Sequence, residues 1–465
     1  MFGQPRRTPV LYCALVLLAL APVADAQPIA AQPIGTQSIG AAAQSTNAAA
    51  QSIGVAAQST NVAAQSIGIA GDSSAAAAPE HVFAIAEPVG ANVAAMEHVQ
   101  KYERSIHVMA MLLVGFGFLM VFVKRYGRSA LTATYLLVAA SVPLYFAMQG
   151  AGWFGHREPL DIDRLLLAEF AAASLLICAG AVLGRVRMWQ YLVLAALFVP
   201  CYMLDEWILL KGGLGLLPAG GVVDTGGSIV IHAFGALFGL GAIIPLTARK
   251  DFAAPVESDA TSDRYSLLGS MVLWVFWPSF CAALVAPQDV PHTAINVIFA
   301  LCGSTLATYV VTVMLRRRIS PADIANATLA GGVAIGATCA RADFYGTAMV
   351  IGLAAGTLST IGFAVIQPRL QGLIRKVDTC GVLYLHGLPG LLGGLAGIIA
   401  ASSALAQVKG IAVMVPIALV GGLVAGGIIA ALGRRAEPYE DAAELLVETE
   451  PESLPAPAAP AREHA

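Results

Sequence analysis

The feature that most constrains this chain is a succession of long apolar stretches, running from about residue 101 to residue 435 and divided by short polar loops. Eleven can be delimited, near 106–124, 131–149, 164–184, 188–210, 224–247, 266–286, 294–316, 323–340, 344–366, 378–402 and 411–433. About twenty apolar residues suffice to carry a helix across the ~30 Å hydrocarbon layer of a bilayer. No water is available there, so each backbone N–H and C=O must be satisfied inside the segment, and helices do this. The expected fold class is therefore an all-α polytopic membrane protein with eleven transmembrane helices. Composition agrees. Hydrophobic residues make up 57% of the 465 and charged residues 12%, with a mean hydropathy of +0.74. Soluble proteins carry about 25% charged residues, too many for this chain to match. A net charge of -3 offers no basic footprint for nucleic acid. The seven cysteines include no CxxC or Cys/His spacing that would hold zinc, so neither metal nor cofactor is expected.

The two ends differ from this body. Arg6 and Arg7 precede an apolar run from Val10 to Val23, then Ala24-Asp25-Ala26. A basic start, a run too short to span and an A-x-A site read as a signal peptide over residues 1–26. Residues 27–100 are low in complexity, with four seven-residue units from Ala42: AAQSTNA, AAQSIGV, AAQSTNV and AAQSIGI. Such units bury too little apolar surface to offset chain entropy, so a mostly disordered extracytoplasmic segment is expected. The membrane domain covers 101–435. Residues 436–465 form an acidic tail, with Glu437, Glu440, Asp441, Glu444, Glu448, Glu450 and Glu452. Basic residues set the orientation. With the mature N-terminus outside, Lys124, Arg125, Arg128, Arg185, Arg187, Arg249, Lys250 and Arg316–Arg318 gather on the cytoplasmic face, and fewer fall opposite. The tail is then cytoplasmic and the protein sits, multi-pass, in the cell membrane.

An internal repeat organises the membrane domain. DTGGSIVIHAFGALFGLGAII begins at Asp224 and DTCGVLYLHGLPGLLGGLAGII at Asp378. Both read D-T-x-G, place a histidine eight residues after the aspartate, and continue into a glycine-rich run. The first opens the fifth apolar stretch and the second the tenth, so the two enter from opposite faces. That is the five-plus-five inverted repeat of many transporters, whose site lies at the midplane between the halves. Eight residues at 1.5 Å carry His232 and His386 about 12 Å inward from their respective faces, toward a common level. Ionisable residues at such depth mark a pathway more often than packing, and the symmetric pair strengthens that reading. Asp224 and Asp378 read instead as structural, since a carboxylate at a helix start caps free backbone N–H groups.

Several segments resemble the Rhesus-type (Rh) branch of the Amt/Rh ammonium transporter family. These are HVMAMLLVGFGFLMVFVKRYGRSA at 107–130, CAGAVLGRV at 178–186, LLGSMVLWVFWPSF at 267–280, NATLAGGVAIG at 326–336 and DTCGVLYLHGLPGLLGG at 378–394. DTGGSIVIHAFGALFGL at 224–240 is similar to the family's fifth-helix signature. The resemblance spans about 107–435. It implies a homotrimer with one pore per subunit, a twin-histidine pair at His232 and His386, and an outer gate of two stacked phenylalanines, Phe170 and Phe280. Glu169 and Glu206 stand where the family has acidic residues, Glu206 in the outer vestibule. Cys281 replaces the asparagine that usually follows WPSF, and Leu383 and Tyr384 stand where polar residues are common. The serine and tryptophan by which the Amt branch binds ammonium at the mouth have no match here.

The function implied is an ammonia channel, with ammonia or ammonium as substrate and CO2 as a further candidate. Other readings are a channel mainly for CO2 or another small neutral molecule, and an ammonium sensor. An enzyme is not expected: no HExxH or third clustered ligand accompanies the two histidines. An output module is not expected either, since about thirty residues after Arg435 are too few for a folded domain of usual size.

Overall fold

The computed structural model describes residues 86–446, apart from 156, 157, 342 and 436. The expected signal peptide, most of the low-complexity segment and the end of the acidic tail lie outside the described residues. Ala95 onward belongs to one compact unit, and Val23–Ala94 to another, of which 86–94 are described as helical.

All regular structure among the described residues is helical. The principal helices are α1 (Ala86–Ala110), α2 (Gly127–Gly150), α3 (Asp161–Val182), α4 (Met188–Lys211), α5 (Phe234–Leu246), α6 (Ala260–Cys281), α7 (Val290–Arg316), α8 (Pro321–Ala327), α9 (Ala330–Ile335), α10 (Tyr345–Ile361), α11 (Leu388–Ala396) and α12 (Ala404–Ala431). Among the described residues eight helical stretches are long and apolar enough to cross a membrane: Ala95–Phe122, Gly127–Gly150, Asp161–Val182, Met188–Lys211, Ser228–Leu246, Pro287–Arg316, Tyr345–Ile374 and Ala404–Ala431. Three of the eleven expected runs take other forms. The run at 266–286 begins with α6, whose first turns carry Asp263 and Arg264. The run at 323–340 breaks into α8 and α9, and the tenth is the shorter Leu383–Ile399. Large apolar side chains such as Met271, Val275, Met314 and Val350 point outward, more than 60% exposed. In water so large a patch would be a liability, whereas lipid accommodates it.

Small residues let the helices touch backbone to backbone, as packing without a hydrophobic drive requires. α7 and α10 meet where a Cβ on Gly356 would lie 2.6 Å from Ser304 Cα. α5 and α12 meet where one on Gly426 would lie 2.8 Å from Ala242 Cα. Neither position has room for a side chain.

At one end of the bundle the described part of the tail closes over helix starts. Asp441 accepts hydrogen bonds from Arg128 N at 3.2 Å and Ser129 N at 2.8 Å, at the opening of α2. Glu444 accepts from Met188 N at 3.0 Å, at the opening of α4. Negative charge is favourable at such termini, where backbone N–H groups lack partners. Arg435 binds Glu444 at 3.1 Å and lies over the Tyr126 ring. Tyr439 N donates to Gly184 O at 3.0 Å, and its hydroxyl lies 3.3 Å from Thr379 Oγ1. Nearby, Lys124 binds Glu257 at 2.7 Å and holds that carboxyl below its ordinary range.

Candidate functional site

Both repeat segments open on the same local geometry. Gly227 and Gly381, each three residues after its aspartate, adopt positive φ of 74° and 68°, which only glycine takes without strain. Each turn folds back so that the aspartate reaches the helix it precedes. Asp224 accepts from Ile229 N at 2.9 Å and Val230 N at 2.8 Å. Asp378 accepts from Val382 N and Leu383 N, both at 3.0 Å. The helices then begin as π-turns, Ser228–Ala233 and Leu383–Gly387, and each π-turn carries the histidine. Pitch arithmetic from the aspartate therefore overstates the helical depth: His232 is only four residues inside its helix, roughly 6 Å at α-helical rise. Single π-turns are rare and concentrate at functional sites.

The two histidines meet in the interior. His232 Nδ1 lies 3.2 Å from His386 Nδ1, with ring centroids 5.3 Å apart and ring planes within 8°. They are 2% and 4% exposed. His232 Nε2 is buried and has no protein partner. A line of aromatic rings passes through the pair. Phe170 and Phe280 have centroids 4.8 Å apart, Phe280 is 6.0 Å from His232, and Phe116 is 6.1 Å from His386. Trp277 stacks on His232 from the side at 5.5 Å. The two phenylalanines are tilted by 53° rather than parallel. The ring quadrupole disfavours face-to-face overlap, so a tilt is the ordinary result.

A cavity lies at each end of this line. One, of about 370 Å³, is lined by Phe170, Tyr202, Glu206, Asp224, Val230 and Leu284, among others. The other, of about 20 Å³, is lined by Phe116, Leu176, Asn326, Cys380, Leu385 and His386, among others. They belong to opposite ends of the bundle. α4 is anchored beside the tail at Met188 and delivers Glu206 to the larger cavity, roughly 27 Å further along the helix axis. Glu206 accepts from Tyr145 Oη at 2.7 Å. Glu169 stands apart from both cavities. It is fully buried, and its Oε1 accepts from Ser105 Oγ at 2.5 Å. Among the described residues no group of three or more His, Cys, Asp or Glu could hold a metal ion.

Sequence reasoning missed several neighbours of these rings and carboxylates. Trp277 was within reach, because it lies three residues before Phe280 and so shares a helix face with it. Phe116, Tyr145 and Ser105 meet their partners only through the tertiary fold, which spacing does not encode.

Comparison with known proteins is specific. The model of the Ammonium Transporter Family matches residues 91–432. Ammonium transporter Rh type C of Rattus norvegicus is 36% identical over 324 residues, covering 68% of this chain and 63% of that protein. Ammonium transporter Rh type B of Homo sapiens is 37% identical over 322 residues, covering 67% and 68%. The chain thus spans just under or about two thirds of these relatives' length. Among solved structures, Nitrosomonas europaea Rh50, described with the mechanism of conduction by the Rhesus protein family of channels, is 50% identical with a TM-score of 0.74. That match covers 77% of this chain and 94% of Rh50.

Proposed function

The chain belongs to the ammonium transporter family, in its Rh-type branch, and from that membership we propose that it is a membrane channel conducting NH3 along the line of rings between its two cavities. The observation that carries this reading is the hydrogen bond between His232 and His386. One Nδ1 must be the donor and the other the acceptor, so at least one is unprotonated. In a neutral pair the donor ring then has a bare Nε2, and the acceptor ring carries its proton on Nε2. The path is offered one hydrogen-bond acceptor and one donor. NH3 can use both.

Charge provides the selectivity. Moving an isolated ion into an apolar passage costs far more than moving a neutral hydrogen-bonding molecule. Ammonium can leave its proton behind at the entrance, whereas K⁺ has none to leave. On this reading Phe170 and Phe280 are the gate that excludes water and its ions. Glu206, at the wall of the larger cavity, draws ammonium toward the mouth by opposite charge. Asp224 and Asp378 hold the two π-turns, and Glu169 braces α3 against α1 through Ser105. The remaining assignments belong to the same proposal. They are eleven crossings in an inverted repeat, a homotrimer with one path per subunit, the larger cavity outside and the tail in the cytoplasm, and transport without enzymatic chemistry.

Stopped-flow measurement of lumenal pH in proteoliposomes tests this. After an ammonium pulse, entering NH3 takes up protons and alkalinises the lumen faster than in protein-free vesicles. Entry of the intact ion would not raise the pH. Parallel K⁺ and CO2 gradients serve as comparisons: preferential acceleration of CO2 would replace NH3 as the permeant.

A further inference from the structure

A cavity of about 420 Å³ lies away from the line of rings, where α1 meets the end of α6 and the start of α7. Its wall takes Glu103, Arg104 and His107 from α1, Ser279 from α6, and Pro287 and Pro291 from the stretch that opens α7. Positions 103 and 104 stand four and three residues before 107, so all three share one helix face. Arg104 distinguishes this cavity from the others. It is 8% exposed, yet its Nε and Nη2 are buried with no hydrogen-bond partner. Of the carboxylates nearby, Glu97 and Asp163 are held by Lys101 at 3.1 and 3.0 Å. Glu103 is exposed. No ion pair joins Arg104 to a carboxylate among the described residues. A guanidinium taken out of water is costly unless an opposite charge meets it.

We propose that this cavity binds a phosphate-type anion, two of whose oxygens accept from the Nε–Nη2 edge of Arg104. That edge is planar and presents parallel N–H groups, the geometry that fits a phosphate in two-pronged fashion. His107 adds to it. Its Nδ1 lies 2.9 Å from Ser279 Oγ, and when that hydroxyl donates, Nε2–H is left as a further donor on the same wall.

The anion has two sources, a lipid headgroup or free phosphate, and the surroundings favour the lipid. Arg104 comes just before the apolar run at 106–124, at the level where hydrocarbon gives way to headgroups. Ile106 and Ile298 stand one turn on from Glu103 and from Ala294 of the wall, and are 49% and 39% exposed. They offer an apolar surface on which an acyl chain can lie. A bound phosphodiester compensates the buried charge, so it should also stabilise the fold.

The test titrates the purified full chain in detergent with phosphatidylglycerol and, separately, with inorganic phosphate, counting bound molecules by native mass and following the melting temperature. The parent should bind phosphatidylglycerol and melt higher with it. R104Q should bind it about tenfold more weakly and lose the rise in melting temperature. R104K, which keeps the charge without the planar fork, should fall between the two. E103Q, which removes a like charge from the wall, should bind more tightly than the parent, and it serves if R104Q does not fold. Phosphate that binds with the same dependence on Arg104 would identify the free anion as a ligand, and lipid binding alone would identify the headgroup. Equal affinity of the parent, R104Q and E103Q for both probes would overturn the site. So would an R104Q that binds like the parent but separates into single chains, since the arginine would then meet a carboxylate of a second copy. Binding is read without any flux, so its failure and a failure of the channel reading are distinguishable.

Discussion

Asp224 and Asp378 do equivalent work at opposite ends of the molecule, each taking two backbone N–H groups at the opening of a π-turned helix. Replacing either with alanine removes a cap and should cost about 1–2 kcal/mol. Thermal unfolding of D224A and D378A should show that loss while flux per folded molecule stays near normal. Unchanged melting with abolished flux would make these carboxylates part of the path instead. The common spacing from aspartate to histidine was legible in the sequence because repetition isolates it from ordinary helix periodicity. The π-turn was not. It depends on a positive-φ glycine and on a carboxylate folding back over the following amides, and an α-helical ruler assumes neither. The tilt of Phe170 against Phe280 escaped for a related reason, since ring orientation is set by neighbours from other helices.

At the scale of elements, hydropathy located the helices but not their contacts. Gly356 shows why. In sequence it is one glycine among many, yet in the fold it meets the α7 backbone at Ser304. G356V forces a branched side chain into that contact and should destabilise the protein by roughly 1–3 kcal/mol, read as a lower melting temperature. The same change at Gly372, where an added Cβ would meet nothing within 4 Å, serves as the control. The tail gives a second case. Its acidic composition suggests a solvated strand of charge, whereas Asp441 and Glu444 sit at the starts of α2 and α4. D441A/E444A should lower stability by about 1–2 kcal/mol through two lost caps. A double variant that melts like the parent would show these contacts to be dispensable. Composition hid them because capping depends on where a carboxylate lands in space.

For the whole molecule, basic-residue bias and the inverted repeat are the grounds for the proposed orientation, with the larger cavity outside and the tail inside. Single cysteines placed in the 250–264 loop should resist impermeant labelling in intact cells. Labelling from outside would reverse the orientation. The central claim is that the histidine pair conducts, and one measurement bears on it most directly. Stopped-flow ammonia flux is compared among the parent, H232A and H386A in proteoliposomes, normalised to folded protein. The parent should alkalinise the lumen faster than empty vesicles, and both variants should fold yet differ from it in ammonia conductance or in the protons carried per ammonia. Normalised flux and proton coupling unchanged in both variants would contradict it and leave the two histidines as packing.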